Sequence, residues 1–126
     1  MRMWMVNPKI MCRKHLLGEH VELHMFLGTL RKGVSINGYL ANKLFEPTLL
    51  WKRHEALVEE MLRRGYNHNS PMDSAEVDNI FMNYSIFNTN LWSIKNIVDG
   101  VKSLNELTSR CQECRGNWQI ENTLVC

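Results

Sequence analysis

An imidazole and two carboxylates, His15, Glu19 and Glu22, follow one another at spacings of four and three residues in a stretch without proline. On an α-helix, offsets of three, four and seven share a face, so these side chains and Phe26 line one side. An imidazole beside two carboxylates can move protons in either direction and can stabilise developing positive charge. A solvated helix face carrying a local charge pair has the same spacing, so the pattern alone does not define a site.

The N-terminal segment supplies a second reactive group. Met1-Arg2-Met3-Trp4-Met5-Val6-Asn7-Pro8-Lys9 is short and mostly apolar and leads directly into that helix, so it can be tied down rather than frayed. Chain-terminal α-amines have a reference pKa of about 7.7–8.0 and are substantially unprotonated near neutrality, whereas lysine at about 10.4 is almost wholly protonated. An α-amine held in a pocket is therefore a ready nucleophile. Arginine at position 2 disfavours removal of the initiator methionine, so Met1 is expected to persist.

Cysteine chemistry is the third possibility. Cys111-x2-Cys114 presents two thiolates at a spacing suited to zinc, and Cys126 adds a possible third, but no second such pair and no downstream histidine supplies the fourth ligand of a closed site. Cys12, or a histidine such as His68, would complete a set only through the fold. Cys111, Cys114 and Cys126 are thus minor zinc candidates, and the adopted reading is reduced cysteines with no metal and no organic cofactor.

Helices must position these groups. Leu16, Leu23, Leu27, Leu30 and Val34 recur at helical spacing from Cys12 to about Val34, and Gly33 with Ser35-Ile36-Asn37-Gly38 supplies the stop. A second helix opens at Glu46-Pro47-Thr48, runs through Leu50, Leu57, Val58, Met61 and Leu62, and ends at Arg64-Gly65. After the loop chemistry of residues 66–71, an imperfect helical period passes through Val77, Ile80, Phe81 and Tyr84. A further helix is expected from about Leu91 to Val98, a turn at Asp99-Gly100, and a short helix opened by a capping box at Ser103-Leu104-Asn105-Glu106. From Cys111 onward there is no usable periodicity. Trp4, Trp51 and Trp92 read as core residues. The expected fold is all-α, a single domain over residues 1–126 with about three main helices and long connecting loops.

Composition is that of an ordinary globular protein: 126 residues, 44% hydrophobic, 22% charged, formal charge +2. No apolar stretch approaches the roughly 18 residues of a membrane span, and Asn7-Pro8-Lys9 interrupts the N-terminal apolar run before a signal peptide could form. A cytoplasmic monomer is expected. The basic residues gather in short groups, Arg13-Lys14, Arg31-Lys32, Lys52-Arg53-His54 and Arg63-Arg64, which suits either a solvated surface or a phosphate backbone.

Arg2, the run His15-Leu16-Leu17-Gly18-Glu19-His20-Val21-Glu22-Leu23, Gly28 with Arg31-Lys32, and the block from Arg53 to Asn67 containing Leu62-Arg63-Arg64-Gly65-Tyr66-Asn67 together resemble the bacteriophage pyrimidine-dimer DNA glycosylases of the endonuclease V type. The blocks cover about half the chain. The resemblance implies a base-excision repair enzyme, of phage or viral source, with glycosylase and AP-lyase activities and damaged double-stranded DNA as partner. It places the Met1 α-amine on the family's nucleophile and Glu22 on its essential glutamate, with Arg2, His15 and Glu19 on further functional positions. The implied reaction displaces a nucleotide from the stack, forms an imine between Met1 and sugar C1′, and cleaves the strand by β-elimination. Arg13, Lys14, Arg31, Lys32, Arg53, Arg63 and Arg64 are the expected phosphate contacts, and salt should weaken their binding steeply. Val21 and Met25 stand where the family's archetype carries arginines, and apart from Trp118 its aromatic-rich tail is missing. The alternatives are a non-catalytic DNA-binding module of the same fold and a glycosylase for a different modified base.

Overall fold

Cys12 ends an N-terminal segment that holds a 3-10 turn at Pro8–Ile10, and it caps helix α1 (Arg13–Arg31), its sulfur accepting from the His15 amide. The computed structural model describes residues 1–123 and is all-helical among them. Leu16, Leu23, Phe26, Leu27 and Leu30 form the buried stripe of α1, as the periodicity requires. Val34 lies past the helix end and is exposed. Gly33 takes φ +73, and the Val34 amide returns to the Thr29 carbonyl at 3.1 Å, the six-residue closure that a left-handed glycine permits.

The second sequence helix begins as a 3-10 turn at Pro47–Leu49 and becomes α3 (Leu50–Arg63), which ends the same way at Gly65, φ +81, with the Tyr66 amide on the Met61 carbonyl. Leu50, Leu57, Val58 and Met61 face inward, whereas Leu62 is exposed. Asn37 and Gly38, the second half of the turn expected over Ser35-Ile36-Asn37-Gly38, open the short helix α2 (Asn37–Ala41), and Phe45 beyond it stacks on Phe26 at 4.1 Å between ring centroids. α4 (Ser74–Phe87) buries Val77, Ile80, Phe81 and Tyr84 and packs on α1.

The C-terminal third departs most from expectation. Only a 3-10 turn, Leu91–Ser93, forms where a helix to Val98 was expected. The amides of Ile97 and Val98 donate instead to the buried Glu46 carboxylate at 2.7 and 2.8 Å, a tertiary use that competes with helical hydrogen bonding. Helix α5 (Gly100–Arg110) is capped by Asp99, which accepts from Val101 and Lys102, and not by Ser103. The tail contains α6 (Gln112–Thr123), packed on α5. Of the tryptophans, Trp4 is buried, while Trp51 and Trp92 are exposed; Trp51 Nε1 donates to the Met72 carbonyl. Among the described residues no helix is long and apolar enough to cross a membrane.

Polar groups inside the fold fix the N-terminal segment. Arg53 forks onto Glu19 at 2.6 and 2.9 Å and donates to the Val6 carbonyl at 2.6 Å. Arg64 reaches the Pro8 and Met11 carbonyls while pairing with Glu60. Hydrogen bonds from Arg63 and Arg64 hold Glu60 below the usual carboxylate range, against the opposing effect of burial. Met3 donates to the Leu44 carbonyl at 2.7 Å, and Met3 and Met11 are fully buried. The segment is thus held at both ends of α3, not frayed. Between α1 and α3, burial and the neighbouring imidazoles of His54, His24 and His68 push His20 down to about 4.

Candidate active site

With the segment so anchored, the Met1 α-amine lies 3.9 Å from Glu22 Oε1. The next amide, Arg2 N, donates to Glu22 Oε2 at 3.3 Å, so one carboxylate faces both the amine and the first peptide unit. The Met1 side chain is largely buried and that of Glu22 about a third exposed, which leaves the pair open to an incoming reactant. They line an open cleft of about 650 Å³ together with Lys14, His15, Gly18 and Arg110. Lys14, Gly18 and Glu22 lie four residues apart on one face of α1, which sets the wall of the cleft.

Arg2 is braced by α5. Its Nη1 donates to Glu106 Oε2 at 2.6 Å and its Nη2 to Ser103 Oγ at 3.0 Å, while its guanidinium carbon sits 3.6 Å over the Trp4 ring. Donation from Arg2 holds Glu106 below the usual carboxylate range. Sequence reasoning missed Ser103 and Glu106 as partners of Arg2; both lie about a hundred residues away along the chain, where no local spacing signals the contact. It also missed Arg110, which pairs with Glu106 at 2.8 Å on the cleft wall.

The remaining expected site residues separate into distinct places. His15 lines the cleft, but its Nδ1 points at the Cys12 sulfur, 3.1 Å away. Glu19 is 1% exposed with both oxygens on Arg53, and Arg53 is 6% exposed. Both therefore belong to the interior, and Arg53, expected among the phosphate contacts, is not available to a phosphate. Arg64 is committed to backbone carbonyls and Glu60. Arg13, Lys14, Arg31, Lys32 and Arg63 are exposed. Arg31 pairs with Glu76 at the far end of α1, about 25 Å from Lys14 by helical rise. Arg13 stacks over Tyr66 at 4.7 Å. Cys111 and Cys114 come to Cys12, and Cys126 lies outside the described residues.

The model of the pyrimidine dimer DNA glycosylase family matches residues 1–74, more than half of the 126 residues. The chain belongs to that family. No curated protein and no solved structure matches it. The family region contains α1, α2 and α3 and with them Met1, Arg2, Glu22 and the helical wall of the cleft. The opposite wall, Glu106 and Arg110 on α5, lies beyond it.

Gly18 offers a test of the cleft. A Cβ there meets nothing within 4 Å, so a side chain starts into the open cleft, and the helix itself gains up to about 1 kcal/mol when glycine is replaced by a good helix former. Gly18→Leu should keep or raise the melting temperature while lowering turnover on dimer-containing DNA by roughly tenfold or more, a barrier increase of about 1.4 kcal/mol or more. Undiminished turnover would place substrate elsewhere.

Proposed function

We propose that this glycosylase excises ultraviolet pyrimidine dimers from duplex DNA with the Met1 α-amine as nucleophile and then cleaves the strand as an AP lyase. The observation that carries the reading is the placement of the amine 3.9 Å from Glu22 in an open cleft, within a region that matches the family. The gap exceeds a hydrogen bond, and such contacts tighten when substrate arrives.

The unprotonated amine attacks C1′ of a nucleotide displaced from the stack. An N–C1′ bond forms and the glycosidic C–N bond breaks, its electron pair leaving with the base, which takes up a proton. Opening of the C1′–O4′ bond gives the protonated imine, with a proton delivered to O4′ by Glu22. Removal of a C2′ proton then expels the 3′ phosphate, and water releases the sugar from Met1. Glu22 also stabilises cationic character at C1′. Arg2 positions the amine by fixing the second residue against Ser103 and Glu106. Lys14, Arg13, Arg31, Lys32 and Arg63 serve as phosphate contacts, and the reaction needs no cofactor. The chain acts as a monomer and as one domain, and the single-domain reading is supported by a core that runs continuously from Met3 to Cys114.

A specific observation favours a second reading, a glycosylase for a different modified base: Val21 and Met25, where the family's archetype carries arginines, lie one residue before and three after Glu22 and are 55% and 51% exposed, so the surface beside the cleft is apolar and not cationic. A panel of lesion-bearing duplexes distinguishes the two, with dimer duplexes cleaved first on the leading reading. Capping the amine tests the chemistry itself. A Gly-Ser extension ahead of Met1 should abolish dimer cleavage while keeping a cooperative thermal transition, since the Met1 side chain and the residues from Met3 inward keep their packing; an extended chain that still cleaves would rule out the Met1 amine.

A further inference from the structure

Two ligand pairs, each on the first turn of a helix, meet across the fold. Cys12 caps α1 and His15 follows three residues on; Cys111 precedes α6 and Cys114 follows three residues on. In each pair the later amide donates to the earlier sulfur, His15 N to Cys12 Sγ and Cys114 N to Cys111 Sγ, both at 3.4 Å. Between the pairs, the Cys12 amide donates to Cys114 Sγ at 3.2 Å, Cys111 Sγ lies 3.9 Å from Cys12 Sγ, and Cys114 Sγ lies 3.7 Å from His15 Nδ1. All four ligand atoms fall within 4.8 Å of one another. Tetrahedral zinc with Zn–S near 2.3 Å and Zn–N near 2.0–2.1 Å sets ligand edges of about 3.8 Å between sulfurs and about 3.5 Å between sulfur and nitrogen, so two cross-pair edges already have the length zinc requires, and the Cys12–His15 edge, at 3.1 Å, needs to open by a few tenths.

We propose that Cys12, His15, Cys111 and Cys114 form a closed Cys3His zinc site. Four protein donors leave no position for substrate, so the metal is structural: it clips the α5–α6 pair, which lies outside the family region, to the start of α1. Because α5 carries Ser103 and Glu106, the clip also holds the brace on Arg2. The test uses Co(II) on the full, reduced chain made without a histidine tag. A sulfur-to-cobalt charge-transfer band should grow to one equivalent, be bleached by zinc, and vanish in Cys111→Ser/Cys114→Ser. Should that variant fail to fold, X-ray absorption of the zinc-loaded His20→Asn/His68→Asn chain, which keeps these four residues and lacks the histidine cluster between α1 and α3, reads the same question, with a shell of three sulfurs and one nitrogen expected. No charge-transfer band, a nitrogen-only shell, or a Cys12–Cys114 disulfide in the isolated protein would overturn the site.

A separate cluster carries a second inference. His54 Nε2 and His68 Nε2 each lie 3.1 Å from His20 Nε2, close to the ~3.3 Å edge of a tetrahedral zinc shell with nitrogen ligands, and the ligand atoms of these three histidines fall within 4.8 Å of one another. His54 Nδ1 lies 3.0 Å from Glu55 Oε1, the outer carboxylate contact that fixes the N–H on Nδ1 and turns the Nε2 lone pair inward. His24 stands beside the trio with its Nε2 on the Ser70 carbonyl at 3.1 Å, a contact that uses the N–H and leaves His20, His54 and His68 as the ligands. We infer a second divalent-metal site made of imidazoles alone, which ties the loop containing His68 to α1 and α3. Native mass spectrometry with zinc should then give two ions per chain in the unaltered protein, one in Cys111→Ser/Cys114→Ser, and one in His20→Asn/His68→Asn. If the histidine variant does not fold, X-ray absorption of the cysteine variant decides, with a shell of nitrogen and oxygen and no sulfur expected. A single zinc in the unaltered protein that the cysteine variant loses would refute the histidine site.

Discussion

Glu22→Gln is expected to lower cleavage at a pyrimidine dimer by roughly 10²- to 10⁴-fold, the range over which a positioned proton-transfer group contributes, with folding and DNA binding retained. The amide is nearly isosteric, and its carbonyl oxygen can still accept from the Arg2 amide, the 3.3 Å bond that positions the segment. Glu22 is partly exposed, so no charge is left unpaired in the interior. What the variant lacks is the capacity to take and return a proton beside the amine and to oppose positive charge at C1′. Steady-state cleavage of a dimer duplex, paired with a binding isotherm at fixed salt, checks this. A fully active variant would remove Glu22 from the mechanism, and a variant that failed to bind would make the residue a DNA contact instead.

The second large effect concerns stability. Arg53→Leu is expected to cost about 3–5 kcal/mol, because removing one member of a buried ion pair strands the other charge. Glu19 is fully buried with both oxygens on Arg53, and the same guanidinium holds the Val6 carbonyl. Adding Glu19→Leu should recover part of the loss, since two apolar residues no longer leave a lone charge. Chemical denaturation of the single and double variants measures both. A single variant within 1 kcal/mol of the parent would show that Glu19 finds solvent or another donor.

The parts of the fold that were legible in the sequence are those set by local chemistry. The buried stripe of α1 and the glycine stops of α1 and α3 follow from periodicity and from positive φ at Gly33 and Gly65. The all-helical class followed from the same signals. The sequence was silent where distant groups decide. Residues 94–98 gave up helix to supply amides to Glu46, Ser103 served Arg2 and not a helix cap, and the α6 segment has mixed polarity because it covers only one small part of the core. The candidate site divides in the same way. His15, Glu19 and Glu22 share a helix side as spacing required, yet a difference of a few tens of degrees around α1 sends Glu19 inward to Arg53 and leaves Glu22 beside Met1. Cys12 and His15 could not be joined to Cys111 and Cys114 from sequence, because nothing local marks two first-turn pairs separated by about a hundred residues as neighbours.

The central claim, imine chemistry at the N-terminal amine, is tested most directly by borohydride trapping on a dimer-containing or abasic duplex, followed by mass mapping of the crosslinked peptide. The expected result is a single adduct on the Met1 α-amine, absent when that amine is capped. Failure to trap any species while the duplex remains bound, or an adduct on a lysine such as Lys14, would contradict it.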